Sequence, residues 1–550
     1  MSNHEGSYQR ILVIFGVTFI ISVGLLIHLI YIQIVKYPEY SKKAAVQRRV
    51  SLLDNQNRGC FLDRNGKLIR GNEESWYLIF EKMGAERFKD VASKLETVLG
   101  DNLISKYHKF ERFPFWIYPK TLNDFQILAI TTLDIKEIKI ISNLVRQDFS
   151  SGFAWHLLGL SSKDKGFSGL ESLYQPIIES KKKKSSVFVV TDGFQHYFPG
   201  LGVRSINAKH PTGIVLTIDA RIQTIVEEAM DKRKMTGAVV VLDVKTGDIL
   251  AMSSRPMVNL TNLNNSITDN ENPFLNRAVS AYQPGSIFKL ITLSAGLDTG
   301  LLTENDRFFD QGFYQIGLKN WYCTTSGGRG HGEIDLTEAL AYSCNPVFIE
   351  IALRLGPELI LNYADQFGLG RPCNIGLHEE AWGEIPSGIG LSEGDQANLA
   401  LGQQFVYTTP LQIASLIQTI ANDGVRSFPG LVLGRVDLEE HTFNKLPVRE
   451  SCRVLNAKTA RLIQKMMAAV VDYGTGKNAK LIISAAGKTG TAQFGNEQEL
   501  VAHAWFAGFA PFEEPRYVTV VFYEKGISGG ETAAPVFKEV MEKVTKLLQL

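Results

Sequence analysis

The sequence predicts an α+β fold in which an N-terminal membrane helix precedes a mixed middle region and a C-terminal domain built on a β-sheet. Three features of the 550-residue chain carry this prediction. Residues 11–35 form an uncharged apolar run, strand-like runs occur within 214–252 and again within 503–524, and helical patterns fill the stretch between them. Strands at both ends of one domain indicate a sheet assembled from both ends around a helical insert.

Composition narrows the class of protein. Apolar residues make up 45% and charged residues 21% of the chain, which excludes a disordered protein, a collagen and a coiled coil. The net charge of +1 gives no support to nucleic-acid binding. Five cysteines are too few for a disulfide scaffold, and since none lies in a CxxC pair, no structural zinc site is expected.

The apolar run at 11–35 is long enough to cross a membrane as a helix. A cleaved signal peptide is the alternative, but its apolar region spans only about 7–15 residues. We therefore expect an uncleaved anchor behind a short tail at 1–10. Counting positive charges would place the large domain in the cytoplasm, because the far flank carries Lys36, Lys42, Lys43, Arg48 and Arg49. Long domains translocate largely regardless of such charges.

Beyond the anchor, the sequence predicts a middle domain over 36–212 and a larger domain over 213–550. Asn65-Gly66 between apolar residues predicts a hairpin turn, and residues 85–145 look helical. In the larger domain, Lys245-Thr246-Gly247-Asp248 predicts a hairpin turn between two apolar strands. Asp219 is a candidate cap for the helix that follows it.

The first candidate for chemistry is Ser286-Ile287-Phe288-Lys289, which follows the turn residues Pro284-Gly285. A serine at a helix start is most often a cap. Here, however, Lys289 lies one helical turn after Ser286 and on the same face. A lysine packed among apolar residues can lose its proton and serve as the base for a neighbouring hydroxyl.

The second candidate is Ser343-Cys344-Asn345. Alone, such a tripeptide is typical of a cap or a turn. As part of a site, Ser343 can relay a proton, and Asn345 can hold both Lys289 and a substrate amide.

The third candidate is Lys488-Thr489-Gly490-Thr491. Lysine supplies positive charge, the threonines supply hydroxyls, and Gly490 would let a substrate approach the backbone closely. Together they suit a terminal carboxylate. The tripeptide Lys245-Thr246-Gly247 is also a K-T-G sequence, but it precedes the candidate nucleophile and is interpreted as the hairpin turn.

The order S-x-x-K, S-x-N, K-T-G resembles the penicillin-recognising serine acyltransferases. Other segments are similar to class B penicillin-binding proteins of the elongation or sporulation type. These segments are Arg58-Gly59 with Asp63-Arg64-Asn65-Gly66, then Gly169-Leu170-Glu171 with Tyr174, then Leu216-Thr217-Ile218-Asp219, and Thr409-Pro410-Leu411-Gln412. The resemblance runs from about residue 10 to 545.

The resemblance implies a membrane anchor, an elongated pedestal or dimerisation-type domain, and a transpeptidase domain with an antiparallel sheet flanked by helices and a helical subdomain. It implies a D,D-transpeptidase in which Ser286 attacks the penultimate D-Ala of a peptidoglycan stem peptide. Lys289 would take the proton, Ser343 would pass it to the leaving D-Ala, and Asn345 would position the peptide.

The resemblance also implies how the substrate and its oxyanion are held. Lys488, Thr489, Gly490 and Thr491 would bind the terminal carboxylate. The backbone N–H groups of Ser286 and Thr491 would form an oxyanion hole. β-Lactams would acylate Ser286 and stay attached, and neither a metal ion nor an organic cofactor is implied.

The expected location is the plasma membrane, with one span, a cytoplasmic N-terminus and an extracytoplasmic catalytic domain. The expected partners are stem peptides ending in D-Ala-D-Ala, a polytopic SEDS-type glycosyltransferase and other cell-wall complex proteins, without nucleic acid. A SEDS-type enzyme is implied because class B proteins do not polymerise glycan themselves.

Two cysteines raise a separate hypothesis. Cys344 lies inside the second motif, and Cys323 precedes it in the chain. They are either buried free thiols or a disulfide, which persists outside the membrane and would pull on Ser343 and Asn345. In the second case the redox state gates activity, and a thiol-disulfide oxidoreductase is an expected partner.

Three other functions compete with transpeptidation: a β-lactamase of the same superfamily, a membrane sensor of β-lactams, and a catalytically silent scaffold of the cell-wall machinery. A β-lactamase is typically a secreted single domain, and residues 1–10 are too few for a signalling domain. A silent scaffold would tolerate the loss of Ser286 or Lys289, and both are present. His331 and His503 show no metal-ligand spacing and are expected in the core or in loops.

Overall fold

The computed structural model describes residues 3–106, 115–146, 152–161, 165–179, 183–191, 203–206, 212–259, 263–494 and 501–548. The chain forms two compact units that alternate along the sequence. The first unit consists of Met1–Asn57, Glu73–Val145 and Lys183–Lys209, and the second of Arg58–Asn72, Arg146–Lys182 and His210–Leu550. The domain boundary between 212 and 213 stays a prediction, since these units are interleaved and not successive.

The first unit begins with an apolar helix. Asn3–Ile30 is α-helical and continues through one wider π-helical turn, Tyr31–Val35, into the helix Tyr37–Gln47. The stretch Tyr8–Val35 is long and apolar enough to cross a membrane, and its apolar window is not buried within the protein. This helix fits a single-pass membrane anchor and contains the predicted span 11–35.

The rest of the first unit contains two small sheets. One has the strand order Arg49–Asn57, Lys183–Val190, Val203–Ile206, and the other has the order Phe115–Ile117, Asn72–Glu81, Ile138–Arg146.

The expectation of a helical region over 85–145 is right only at its start. The helix Ala85–Leu99 buries the predicted apolar face, including Phe88, Val91 and Leu95. Gly100 ends this helix in the left-handed conformation, with φ 64°. Beyond it the described residues contain the short helix Asp124–Thr132 between strands, so the expected helical region was extended too far past residue 99.

The second unit is built on a five-stranded antiparallel sheet. Its strand order is Ile249–Arg255, Gly237–Asp243, Tyr517–Gly526, Val501–Ala510, Ala486–Phe494. The first strands of the domain therefore pair with its last ones, which confirms a sheet assembled from both ends. Alternation along the strand Gly237–Asp243 directs Val239 and Val241 to one face of the sheet and Val240 to the other.

Helices cover both faces of this sheet. Ala220–Lys232 and Ala534–Leu547 bury their apolar sides against one face. Pro410–Ala421, whose residues are all buried, packs against the other face. Asp219 caps the first of these helices as expected, because its carboxylate accepts a hydrogen bond from the Arg221 N–H.

The helical part of the second unit is inserted between the two groups of sheet strands. Its helices of six or more residues are Lys289–Asp298, Leu336–Ala341, Asn345–Leu355, Pro357–Gln366, Glu393–Ala400, Pro410–Ala421 and Ala457–Asp472. Short hairpin strands precede the second of these helices: Arg307–Asp310, Phe313–Ile316, Lys319–Tyr322 and Gly332–Asp335.

A second sheet of this unit includes a segment from far upstream. Its strand order is Thr442–Lys445, Val432–Asp437, Thr212–Leu216, Cys60–Leu62, Leu68–Arg70. Gly66, with φ 82°, turns the predicted hairpin. Beside it the buried guanidinium of Arg58 lies 3.0 Å from a carboxylate oxygen of Glu171, and that of Arg146 lies 2.5 Å from the other oxygen. The pair of Arg58 with Glu171 joins the segments Arg58–Asn72 and Arg146–Lys182 within the second unit.

Candidate active site

Ser286 lies in a tight turn that enters a buried helix. Gly285 has φ 57°, and Gly285–Phe288 form one turn of 3₁₀ helix before Lys289–Asp298. A Cβ atom on Gly285 would come within 2.6 Å of the Thr491 carbonyl oxygen and 3.1 Å of its nitrogen. The glycine is therefore needed to bring the backbone of the Ser286 turn against the third motif.

Lys289 is completely buried. Its Nζ donates to the Ser343 carbonyl oxygen at 2.7 Å, to Asn345 Oδ1 at 2.7 Å and to Ser343 Oγ at 3.2 Å. Burial lowers the pKa of Lys289 to about 7. A substantial fraction of this amine is therefore unprotonated near neutral pH, as a general base requires.

Ser343 lies between two helices in a conformation that is unusual for serine. Its φ is 55°, in the left-handed region, between the helices Leu336–Ala341 and Asn345–Leu355. Its hydroxyl accepts a hydrogen bond from Lys488 Nζ at 2.9 Å as well as the one from Lys289. The hydroxyl thus connects two lysines, and a strained backbone conformation at such a point is common in functional sites.

Lys488 comes from the strand Ala486–Phe494 and is also completely buried. Besides Ser343 Oγ, its Nζ contacts the Thr489 carbonyl oxygen at 3.0 Å. Burial, followed by the nearby charge of Lys289, holds the pKa of Lys488 well below its usual range. Burial and the charge of Lys289 thus both disfavour the protonated form of Lys488.

The threonines of the third motif lie on the opposite face of the strand from Lys488, because strand residues alternate. Thr489 Oγ1 is 2.7 Å from the hydroxyl of Thr475, and Thr491 Oγ1 accepts from the Gly529 N–H at 3.3 Å. Gly490 was expected to let a substrate approach the backbone, but the structure gives a packing reason for this glycine. A Cβ there would meet the Pro284 carbonyl oxygen at 2.6 Å, so the glycine makes room for the chain before Ser286 and not for a substrate.

One cavity of about 900 Å³ joins the three motifs. It is lined by Ser286, Ser343, Asn345, Thr489 and Thr491. Lys289 and Lys488 lie beneath it and reach it through Ser343. The predicted residues are therefore brought together, with Lys488 acting from below and Gly490 packed away from the lining.

Sequence reasoning missed several residues that line the cavity, among them Thr475, Tyr342 and Tyr473. Thr475 follows the helix Ala457–Asp472 in the run Gly474-Thr475-Gly476. That run signals a turn, but nothing in it indicates what the turn faces.

Four ligand-type side chains form a cluster next to the second motif: Asp310, Cys323, His331 and Cys344. Their ligand atoms all lie within 4.8 Å of one another. The two sulfur atoms are 4.0 Å apart, and both thiols are free. The hydrogen bond between the two thiols lowers the pKa of Cys323 to about 5. We call this set the Asp310 cluster.

The donor set of the Asp310 cluster could hold a metal ion. The expectation of no metal rested on sequence spacing, which detects ligands only when they lie close together in the chain. Here they come from four separate segments. His331 lies in the loop before Gly332–Asp335, and His503 packs edge-on against Tyr282, so both occupy loop or core positions as expected.

Comparison with known proteins agrees with this geometry. A model of the penicillin binding protein transpeptidase domain matches residues 237–542. The chain is 28% identical over 552 residues to Stage V sporulation protein D of Bacillus subtilis, covering 95% of this chain and 84% of that protein. It is 25% identical over 610 residues to peptidoglycan D,D-transpeptidase MrdA of Haemophilus influenzae, covering 97% and 91%.

A solved structure shows the same fold. The crystal structure of penicillin binding protein 3 from Mycobacterium tuberculosis, complexed with aztreonam, aligns with a TM-score of 0.65 at 24% identity. The alignment covers 90% of this chain and 98% of that one. Because the family model spans more than half of the sequence, and the three motifs meet in one cavity, the chain belongs to the penicillin-binding protein transpeptidase family, as a class B member.

Proposed function

We propose that this protein is a serine D,D-transpeptidase that cross-links peptidoglycan stem peptides through an acyl-enzyme on Ser286. The observation that carries the proposal is the position of Lys289. It is buried one turn after Ser286, and its Nζ is 2.7 Å from Asn345 Oδ1 and 3.2 Å from Ser343 Oγ. Buried amines of this kind serve as bases for serine nucleophiles.

Acylation proceeds by attack of Ser286 Oγ on the carbonyl carbon of the penultimate D-Ala. Lys289 takes the hydroxyl proton as the C–O bond forms. The oxyanion accepts hydrogen bonds from the backbone N–H groups of Ser286 and Thr491, a role supported by the close approach of Gly285 to Thr491. The proton then passes through Ser343 to the nitrogen of the departing D-Ala, and the C–N bond breaks.

Substrate orientation depends on the other polar groups of the cavity. Thr489 and Thr491 bind the terminal carboxylate through their hydroxyls, and Lys488 supports this end of the cavity from beneath through its hydrogen bond to Ser343 Oγ. Asn345 holds the peptide amide as well as Lys289. An amine from a neighbouring stem peptide then attacks the ester carbonyl and releases Ser286. A β-lactam follows the same first step, but its leaving nitrogen stays tethered and blocks the amine.

Acylation by a fluorescent penicillin tests this function. The full-length protein in detergent is expected to give a covalent band that Ser286→Ala abolishes. Lys245→Ala is the matched control, because it removes a lysine from the other K-T-G sequence, and we expect its band to persist. Absence of a band in the wild type would indicate a silent scaffold, and rapid turnover of penicillin would indicate a β-lactamase.

We also propose that the anchor places the catalytic unit outside the plasma membrane and leaves the N-terminus in the cytoplasm. The exposed thiol of Cys452 allows a direct test, since the other four cysteines are buried. In intact spheroplasts, a membrane-impermeant maleimide should label the wild-type protein but not the Cys452→Ser variant. Labelling only after lysis would place the large domain in the cytoplasm.

A polytopic SEDS-type glycosyltransferase is the partner we propose, together with other cell-wall complex proteins. Support comes from the exposed apolar side chains of Tyr8–Val35, which offer a helix surface within the membrane. Such an enzyme would supply the glycan strands whose stem peptides this protein joins.

We further propose that a Cys323–Cys344 disulfide gates activity. The sulfur atoms are 4.0 Å apart, and a bond of about 2.05 Å would require them to approach by roughly 2 Å. Cys344 lies between Ser343 and Asn345, so this approach would move both. A thiol-disulfide oxidoreductase would exchange its disulfide for the two thiols, or reverse the exchange.

A further inference from the structure

Among the described residues, Trp505 is the largest fully buried side chain, and the proposed reaction uses none of its atoms. It lies on the strand Val501–Ala510, directly opposite Gly490 on the strand that carries the third motif. Its indole Nε1–H donates a hydrogen bond to the carbonyl oxygen of Gln283 at 3.0 Å. Because Gln283 lies just before Ser286 in the chain, this bond joins the sheet to the turn that carries the nucleophile.

The turn that presents the nucleophile is supported at successive points along its backbone. Tyr282 exchanges two hydrogen bonds with Thr408, at 2.9 Å from its N–H and 2.8 Å to its carbonyl oxygen. The Gly285 N–H donates to the Gly402 carbonyl oxygen at 3.0 Å. Between these points, the indole N–H holds the Gln283 carbonyl. A side chain therefore supplies the middle support, whereas backbone groups supply the outer two.

Trp505 is itself packed on several sides. A Cβ on Gly490 would come within 3.1 Å of the Trp505 Cβ and 2.6 Å of the Pro284 carbonyl oxygen. A Cβ on Gly529 would collide with the carbonyl oxygen of Trp505, so the two backbones are in close contact. The indole packs against the ring of Phe522, with 4.5 Å between centroids. This packing leaves the indole little freedom to follow the turn, and it acts as a fixed support.

The acceptor distinguishes this bond from that of an ordinary core tryptophan. A buried indole N–H usually finds some acceptor, which by itself serves only the core. Here the acceptor is Gln283, and a shift of its carbonyl moves the Ser286 N–H relative to that of Thr491. The two backbones already approach closely, since a Cβ on Gly285 would come within 3.1 Å of the Thr491 nitrogen. An oxyanion hole works only when both N–H groups point to one place.

We propose that Trp505 is a positioning residue for acylation, because its hold on the Gln283 carbonyl sets the separation of the two N–H groups of the oxyanion hole. This inference rests on the proposed acylation of Ser286. Without the indole N–H, the carbonyl loses its partner and the turn is free to shift. The hydroxyls of Thr489 and Thr491, which bind the carboxylate, are untouched. Acylation therefore slows while the noncovalent binding of penicillin stays the same.

Replacing the indole N–H with sulfur tests the bond at nearly constant shape. Benzothienylalanine, incorporated in place of Trp505 in the full-length protein, keeps the fused rings but cannot donate. We expect the acylation rate constant at saturating penicillin to fall about 10- to 100-fold, with the dissociation constant of the initial complex changed by less than about twofold. Partial unfolding would lower the amplitude of labelling and not this rate constant, because only folded molecules react.

The same analogue in place of Trp155 is the matched control. Trp155 is buried, and its indole N–H donates to no described residue. Both constants should therefore stay at their wild-type values. An equal loss of acylation rate in this control, or an unchanged rate with the analogue in place of Trp505, would overturn the positioning role.

The pH profile separates support of the turn from an effect on the base. Burial lowers the pKa of Lys289 to about 7, and the analogue leaves that burial in place. The slower acylation should therefore keep its midpoint near pH 7. A shifted midpoint would mean that Trp505 acts on Lys289 and would refute its role in the oxyanion hole.

Amide hydrogen exchange tests the support of the turn without any reaction. By mass spectrometry, the peptide covering 282–288, which includes the bonded N–H of Gly285, should exchange at least about tenfold faster with the analogue in place of Trp505. The Trp155 control should match the wild type. Faster exchange with no penicillin labelling of any protein would leave the support standing and remove the proposed enzyme. Unchanged exchange would refute the support itself.

Discussion

The same tripeptide occurs twice in this chain, and the two copies differ in every physical respect that matters for catalysis. Lys245 lies at an exposed hairpin turn, where its Nζ contacts only the side chain of Asn422 among the hydrogen bonds described, at 3.1 Å. Lys488 lies on a sheet strand, is fully buried and contacts Ser343. Burial and a hydroxyl partner, and not the letters of the motif, turn a lysine into part of a reaction centre.

Removing each lysine gives the largest expected contrast. Lys488→Ala should lower the second-order rate constant for acylation by penicillin about 10²- to 10³-fold, which is the loss typical of one preorganised donor. Lys245→Ala should change it by less than about twofold, because a solvent-exposed lysine outside the site contributes little. Acylation rates from stopped-flow fluorescence provide the measurement. Comparable losses in the two variants would contradict the assignment of the third motif.

The pH dependence of acylation tests whether the buried Lys289 is the base. Lys289 must be unprotonated to take the Ser286 proton, and its pKa is lowered to about 7 by burial. Protonation below that pKa removes the base, so the rate constant should fall about tenfold per pH unit below 7 and level off above it. Lys245→Ala should leave the midpoint unchanged. A rate that stays flat from pH 5 to 9 would exclude Lys289 as the titrating base.

A pair of threonines gives the smallest expected effect. Thr475→Val removes the 2.7 Å contact with Thr489 and should weaken penicillin binding about fivefold, the worth of one hydrogen bond of about 1 kcal/mol. Thr246→Val removes the hydroxyl that contacts Asp243 at 3.0 Å in the hairpin and should leave acylation unchanged. The labelling rate of each variant, measured at increasing penicillin concentration, gives its binding constant and distinguishes the two. Equal effects would mean that Thr475 acts only through stability.

Those parts of the fold and of the site that depend on a few neighbouring residues could be predicted from the sequence. The apolar anchor, the turns at Gly66 and Gly247, and the strands at both ends of the catalytic unit follow from local patterns. The order of the three motifs identified the residues that meet in the cavity, because Lys245-Thr246-Gly247 precedes the candidate nucleophile and Lys488-Thr489-Gly490 follows it.

What could not be predicted depends on contacts between distant residues. Asp310 and His331 carry no local signal, yet hairpins bring them to Cys323 and Cys344. The packing reason for Gly490 is the carbonyl of Pro284, which lies some two hundred residues earlier in the sequence. The buried ion pair of Arg58 with Glu171 likewise joins two segments far apart in the sequence, which composition does not reveal.

The pairing of first and last strands has a consequence for how the protein is made. Gly237–Asp243 needs Tyr517–Gly526 as its neighbour, and Cys60–Leu62 waits for Thr212–Leu216. A chain delivered from its N-terminus therefore leaves Cys60–Leu62 without its neighbour until Thr212–Leu216 follows, and leaves one edge of Gly237–Asp243 unpaired until nearly the whole polypeptide has emerged. Contacts so distant in sequence make folding slow. The apolar edge of Gly237–Asp243 must therefore be protected from aggregation until the last part of the chain is made.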